Sequence, residues 1–200
     1  MKTKTRSLRL LITALMLVAI WRPWPARSET GARSLADLQT AAAKEKPSQR
    51  RAVMIAEWTR ARDWTLQYIA KMPEEHFGFK PVPEVRSFAE QTLHLAFWNF
   101  GFTAKAFGLT SPYTEEELMK GEFKTKARLS KVVSESYDFV INGLKAISDA
   151  QLDAQMTLRN GAKISRLERI NDAYEHQTHH RGQTVIYLRL KGLAPPVEPF

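Results

Sequence analysis

The first long run of helical periodicity extends from about Gln49 to Met72, where apolar or small side chains recur every three or four positions. This spacing predicts an amphipathic helix, because 3.6 residues complete one helical turn. The recurring positions are Met54, Trp58, Ala61, Thr65, Tyr68 and Met72. Pro73 ends the pattern, and the three prolines and one glycine at positions 73–85 predict an extended connection across the end of a bundle.

A second helix is predicted to begin after Ser87. Glu90 follows three positions later, and this Ser-x-x-Glu spacing is typical of a capping box. The predicted inner face of this helix carries Leu93, His94, Phe97, Trp98 and Gly101. Gly108 ends the pattern near Phe107, and the segment TEEELMKG that follows Pro112 predicts a short turn of helix.

Two more long helices are predicted in the second half of the chain. One covers about 126–147 with a continuous apolar stripe, and the last begins after Ser165 and ends near position 191. Between them, the Asn160-Gly161 pair predicts a tight turn that could join two short extended pieces. Four long helices with short to medium connections predict an all-α fold, a four-helix bundle.

The N-terminus has the layout of a signal peptide, with basic residues before an apolar stretch at positions 10–21 and a small-x-small cleavage site that ends at Ser28. The basic residues of this segment are Lys2, Lys4, Arg6, Arg9, Arg22 and Arg27. A stable membrane span needs about 20 apolar residues, so the shorter stretch favours cleavage, while retention as an anchor stays open.

These boundaries predict a signal peptide at 1–28, a linker or weakly ordered lead-in at 29–48, and the bundle at 49–200. The protein is then exported, periplasmic or secreted, and no stable membrane span is expected after cleavage. Cleavage also removes six positive charges from the formal net charge of +9 and leaves +3. With this modest excess and no basic cluster interleaved with aromatics, no nucleic-acid partner is predicted.

Three of the five histidines lie in the segment YEHQTHHRGQ on the last predicted helix. The i,i+4 spacing of His176 and His180 places two imidazoles on one helical face, where they can share one ion, whereas His179 points elsewhere. His94, on the inner face of the second helix, can supply a third ligand. The chain has no cysteine, so any metal ligands must be His, Asp or Glu.

Simpler interpretations stay open for each of these residues. His94 alone could be a core histidine, and His176 with His180 could be a surface pair beside Asp172 and Glu175. His76, in the proline-rich connection, is interpreted as a solvated or capping residue. A set of aromatic side chains is interpreted as core and pocket lining rather than as a cofactor site. These side chains are Trp58, Trp64, Phe97, Trp98 and Phe100.

The segments PEEHFGFKPVPEVRSFAEQTLHLAFWN and YEHQTHHRGQTVIYLRLKGLAPP resemble the two signature regions of DinB-like proteins. The resemblance covers roughly residues 49–196. It implies an up-down-down-up four-helix bundle in which three histidines bind a divalent metal ion, usually zinc or nickel. His94, His176 and His180 match the ligand positions. The family includes thiol-dependent transferases that use bacillithiol or mycothiol, and its bundles often pair, so a homodimer is a further expectation.

The favoured functional hypothesis is a metal-dependent enzyme of hydrolase or transferase type that acts on a small-molecule substrate. Gln183 and Tyr187 could orient water or substrate, and Asp172 and Glu175 could hold the imidazoles from outside the ligand set. Low-molecular-weight thiols are chiefly cytosolic, so an export signal disfavours the thiol-transferase alternative. Two other hypotheses stay open: a non-catalytic metal-binding or stress-related bundle, and a helical interaction module without metal.

Overall fold

The computed structural model describes residues 47–197, so the predicted signal peptide and nearly all of the predicted lead-in lie outside the described residues. The α-helices and strands in chain order are α1 (Gln49–Lys71), α2 (Phe88–Phe107), α3 (Glu115–Leu118), α4 (Lys126–Ala146), α5 (Asp149–Asp153), β1 (Gln155–Thr157), β2 (Lys163–Ser165) and α6 (Arg166–Leu190). Short 3-10 helices occupy Glu74–His76, inside the predicted extended connection, and Gly121–Lys124. Within residues 47–197, no helix is both long and apolar enough to cross a membrane.

The four predicted long helices are confirmed, and their ends follow the predicted capping signals. Ser87 and Glu90 form a reciprocal capping box at the start of α2, and Ser165 and Glu168 form another at the start of α6. Gly108 ends α2 in the left-handed region with φ 68°, a conformation that glycine adopts without steric cost. The predicted short turn of helix is α3.

The segment between α4 and α6 departs from a purely helical fold in one small feature. Strands β1 and β2 form an antiparallel hairpin with Met156 opposite Ile164, and Gly161 turns the chain with φ 85°. The predicted turn between two short extended pieces is thus confirmed. The single-turn helix α5 was not predicted, although Ser148 and Gln151 form a capping box at its start.

Contacts between the long helices give both their neighbours and their directions. Helix α4 lies antiparallel to α1 and parallel to α2, and α6 lies antiparallel to α2. The contacts that set these directions are Thr65–Tyr137 and Ala70–Lys126 for α1 with α4, Asn99–Ser136 and Phe107–Gly143 for α2 with α4, and Phe88–Tyr187 and Phe102–Arg169 for α2 with α6. The bundle therefore has the up-down-down-up arrangement.

The parallel packing of α2 and α4 forces the connection between them, residues 108–125, to return along the bundle. Its path follows α2 backwards: Tyr113 lies against Phe100, and Lys124 reaches Glu90 near the start of the helix. Between these points the connection carries Glu115 past the middle of α2. The crossover, which we define as residues 108–125, therefore covers one side of α2.

A buried polar network fixes the rotation of α6. The hydroxyl of Tyr137 donates to Oε1 of Gln177 (2.8 Å), and Arg181 donates to the same oxygen (2.9 Å) while its guanidinium lies 4.5 Å from the centre of the Trp64 ring. Arg181 thus faces α1. Because adjacent helical positions differ by about 100°, this rotation turns His180 towards α2.

The variant Glu90→Gln is expected to lower the free energy of unfolding by about 1 kcal/mol at pH 7. The backbone N–H of Ser87, aided by Lys80 and Lys124, lowers the pKa of Glu90 from 4.5 to about 2. A lowered pKa stabilises the fold only while the carboxylate is ionised, so the difference between wild type and variant should shrink as pH falls from 4.5 towards 2. Urea unfolding between pH 3 and pH 7 measures it, with the exposed Glu84→Gln as control. If the free energy of unfolding changed with pH in the same way in Glu90→Gln and Glu84→Gln, the expectation would be contradicted.

Candidate metal centre

The structure brings His94, His176 and His180 together between α2 and α6. One ring nitrogen from each residue lies within 4.8 Å of the other two. The ring centroids of His94 are 5.3 Å from His176 and 4.8 Å from His180. This three-histidine cluster exists because α2 and α6 are antiparallel neighbours, and because the i,i+4 spacing places the two α6 histidines on the same face.

The separation of the two α6 ring nitrogens fits a shared divalent cation. The Nε2 atoms of His176 and His180 are 3.0 Å apart. Two imidazole nitrogens that bind one ion at 2.0–2.1 Å lie roughly 3.0–3.4 Å from each other. Among the described residues, Nδ1 of His94 and Nδ1 of His176 are buried without a hydrogen-bond partner. They show that the cluster is not a core of fully hydrogen-bonded histidines.

The environment keeps all three imidazoles neutral near pH 7. Burial, together with the positive charge of Arg86, lowers the pKa of His94, His176 and His180 to about 4 each. His94 and His180 are only 9% and 7% exposed. Neutral imidazoles present free lone pairs, which is the state that a metal ligand requires.

Two polar side chains contact the cluster from outside. The buried amide of Gln91 lies 2.8 Å from Nδ1 of His180, and rotating this amide by 180° turns its oxygen into an acceptor for Nδ1–H. Nε2 of His180 then keeps its lone pair. On the other side, Oε1 of Glu115 lies 3.6 Å from Nδ1 of His94. Gln91 and Glu115 therefore occupy the positions from which metal-binding histidines are usually oriented.

Several polar residues predicted to assist the site do not face it. Asp172 pairs with Arg169 at 3.3 Å, and Glu175 is exposed with no ion pair or hydrogen bond inside residues 47–197, so the prediction of these two acids as outer partners was wrong. Both side chains are exposed.

The two α6 residues predicted to orient water or substrate are also engaged elsewhere. The hydroxyl of Tyr187 donates to the backbone carbonyl of Arg86 (2.6 Å), and the exposed amide of Gln183 lies 2.9 Å from Nε2 of His179. Tyr187 therefore anchors the connection before α2 and has no proton left to donate to a ligand. Its oxygen can still accept a hydrogen bond, so the role of Tyr187 in orienting water or substrate stays a prediction. His179 lies outside the cluster, as expected.

Aromatic side chains of α2 line one side of the cluster. The ring of Trp98 lies 6.2 Å from His94 and 5.9 Å from His176, and Phe102 lies 5.7 Å from His176. Phe97 contacts Trp98, and these three aromatic rings are partly exposed. The aromatic residues named from the sequence therefore form two groups. Phe97 and Trp98 border the cluster, whereas Trp58, Trp64 and Phe100 lie in the core. We refer to Phe97, Trp98 and Phe102 as the aromatic shelf.

Comparison with known proteins places this geometry in a family. The model of the DinB superfamily matches residues 57–184. YjoA of Bacillus subtilis strain 168, an uncharacterized protein, is 24% identical over 135 residues, which are 66% of this chain and 84% of YjoA.

Two solved structures share the fold. The crystal structure of the DinB-like protein YjoA from Bacillus subtilis aligns with a TM-score of 0.59 at 19% identity over 72% of this chain and 94% of that one. YfiT from Bacillus subtilis, described as a probable metal-dependent hydrolase with an unusual four-helix bundle topology, aligns with a TM-score of 0.57 at 15% identity over 76% and 93%. The matched segment contains all three histidines of the cluster, and with the bundle topology it shows that the chain belongs to the DinB superfamily.

Proposed function

We propose that this protein is an exported, metal-dependent enzyme of hydrolase or transferase type that holds one divalent ion through His94, His176 and His180. The observation that carries the proposal is the convergence of three neutral imidazoles, with the Nε2 atoms of His176 and His180 3.0 Å apart. The description of YfiT as a probable metal-dependent hydrolase supports the hydrolase type.

The donor set favours zinc or nickel. Three imidazoles without a thiolate or carboxylate suit borderline divalent metals better than magnesium or calcium, which prefer oxygen ligands. Three protein ligands also leave a coordination position open, as in catalytic zinc sites. A divalent ion bound here supplies a Lewis acid that activates water or polarises a substrate oxygen.

The surrounding side chains have distinct roles in this proposal. Gln91 fixes the ring of His180, and Glu115 fixes the ring of His94 from the crossover. The carboxylate of Glu115 is 51% exposed, so solvent also reaches it at the edge of the site. The aromatic shelf excludes water from the side of His94 and His176.

Metal analysis of the untagged protein from the exported fraction tests the proposal. We expect about one zinc or nickel ion per chain by mass spectrometry, either as purified or after reloading with the metal salt. N-terminal sequencing of the same sample should begin after Ser28. A chain that takes up no divalent metal after reloading would refute the metal site, and an intact N-terminus in the cytoplasmic fraction would refute export.

Glu115→Gln is expected to weaken zinc affinity by about 10-fold, because the neutral amide no longer attracts the Nδ1–H of His94. Glu116→Gln removes a neighbouring carboxylate of α3 that makes no contact with the cluster, and it serves as the matched control. Competition with a chromophoric chelator gives both affinities. Equal affinities for the two variants would show that Glu115 does not position His94.

A further inference from the structure

The connection that leads into α2 forms an exposed loop at one end of the bundle. The backbone N–H of Phe88 donates to the carbonyl of Phe79 (3.1 Å), so the chain leaves and returns at nearly the same point. Residues 80–86, which lie between them, are almost all exposed, and they turn where the N–H of Val85 donates to the carbonyl of Val82 (3.3 Å). We refer to residues 80–86 as the entry loop.

Helix α6 ends beside the entry loop. The hydroxyl of Tyr187 donates to the backbone carbonyl of Arg86 (2.6 Å), and Nζ of Lys191 lies 3.9 Å from the centre of the Phe79 ring. These contacts place residues 186–191 at the end of the bundle where α2 begins. We define the entry loop and residues 186–191 together as the entry face.

The entry face exposes large apolar side chains that a globular protein usually buries. Six such side chains are exposed within residues 47–197, and four of them lie on this face, each between 37% and 57% exposed. They are Val82, Val85, Ile186 and Leu190. The i,i+4 spacing places Ile186 and Leu190 on the same side of α6. Exposed apolar side chains that are grouped in one place indicate a contact surface, whereas scattered ones do not.

The same face carries an excess of positive charge. Its four basic residues and one acidic residue are Lys80, Glu84, Arg86, Arg189 and Lys191, which give it a net charge of +3. The nearby Glu90 lies between Lys80 and Lys124 and adds no unbalanced negative charge. Apolar side chains among basic ones are typical of proteins that bind the interface of a membrane with anionic lipids, because this interface offers both negative headgroups and an apolar layer.

We propose that the entry face binds the surface of a membrane that contains anionic lipids. The four apolar side chains enter the interfacial layer, and the basic side chains lie among the headgroups. A second copy of the same face would not satisfy these charges, because it would set +3 against +3.

The position of the face also matters for the histidine cluster. Ile186 follows His180 by six residues, about 9 Å along α6, so a bound membrane would lie close to the cluster. The inference needs no metal ion and is therefore independent of the proposed function.

Site-specific fluorescence tests the inference, because the chain has no cysteine and accepts one label at a chosen position. Val85→Cys and Leu190→Cys place an environment-sensitive fluorophore on the entry face. Val53→Cys is the matched control, since Val53 is 55% exposed near the start of α1, at the other end of the bundle. Vesicles of phosphatidylglycerol and phosphatidylcholine should shift the emission to shorter wavelength at positions 85 and 190 and leave it unchanged at position 53.

Two results of this experiment would overturn the inference. One is an emission that does not shift at positions 85 and 190, or that shifts equally at all three positions. The other is a shift at positions 85 and 190 that grows with protein concentration in the absence of vesicles, because it would assign the face to a second copy of the chain.

Vesicle sedimentation measures the apolar and the electrostatic contributions separately. The double variant Ile186→Ser with Leu190→Ser should weaken binding to the anionic vesicles by about 10-fold or more, because two apolar side chains no longer enter the interface. Arg189→Gln should weaken it by about 5-fold, and Arg189→Lys should restore it. Lys163→Gln, which removes an exposed cation of β2 at the opposite end of α6, is the matched control and should leave binding unchanged.

Salt and chelator distinguish this inference from the proposed function. Binding of the wild type should weaken as ionic strength rises, because exposed charges are screened, and a metal chelator should leave it unchanged. Equal affinities in Arg189→Gln and Lys163→Gln, or wild-type affinity in the double serine variant, would contradict the inference. A wild-type protein that binds the vesicles but takes up no divalent metal would refute the proposed function alone.

Discussion

Replacing His180 with alanine should reduce the retained divalent metal from about one ion per chain to a small fraction of that value. Nε2 of His180 lies 3.0 Å from Nε2 of His176, and its other nitrogen is held by Gln91, so this residue is the most constrained of the cluster. Two remaining imidazoles bind borderline metals much more weakly than three, because each lost ligand must be replaced by water.

His179→Ala is the matched control for this change. His179 is the preceding residue on the same helix, but it is exposed and its nitrogen lies against Gln183, outside the cluster. Metal content by mass spectrometry should be unchanged in His179→Ala, and both variants should keep their helical circular dichroism. If the two variants lost metal to the same extent, the cluster of His94, His176 and His180 would not be the metal site.

Gly143→Ala is expected to lower the free energy of unfolding by about 1–3 kcal/mol. A Cβ at this position of α4 would lie 2.6 Å from two carbons of the Phe107 ring and 3.5 Å from Thr103. Phe107 is 95% buried and cannot swing away, so the parallel helices α2 and α4 must separate. The overpacking outweighs the gain of up to about 1 kcal/mol that alanine brings to a helix.

Gly182→Ala gives the opposite expectation on α6. Gly182 is exposed, and a Cβ there meets no atom within 4 Å, so alanine should raise the free energy of unfolding by roughly 0.5–1 kcal/mol. Urea unfolding with a chelator present compares both variants with wild type without any contribution from metal. A stabilised Gly143→Ala protein would show that the close approach of α2 and α4 is not required.

The helices could be predicted from the sequence because their signals are local. The apolar spacing, the Ser-x-x-Glu boxes at Ser87 and Ser165 and the stop at Gly108 each act within a few residues, and the structure confirms each of them. The same kind of signal was present for α5, where Ser148 and Gln151 form a box, but the helix is a single turn and its periodicity is too short to recognise.

The residues that surround the histidine cluster were harder to predict, because tertiary packing determines which side chains reach it. The cluster itself followed from the i,i+4 pair on α6 and from the family resemblance. Gln91, one turn before His94, lies on the inner face of α2, so helical spacing could have indicated it. Glu115 had no such signal, since it reaches His94 only because the crossover returns along α2. Tyr187 shares a helical face with His180, but its hydroxyl donates to the backbone carbonyl of Arg86. The sequence pattern does not indicate this contact.

The antiparallel pairing of α2 and α6 also has a consequence for the unfolded chain. Gln91 and His180 meet across the site although 89 positions separate them. An ion bound to both helices would act as a reversible cross-link around this long loop, and a permanent cross-link of that span removes roughly 4–5 kcal/mol of conformational freedom from the unfolded state in the chain-entropy model. This protein has no cysteine, so its melting temperature would then rise with the concentration of free metal. In the same way, the stability of a disulfide-bonded protein depends on the redox potential of its surroundings.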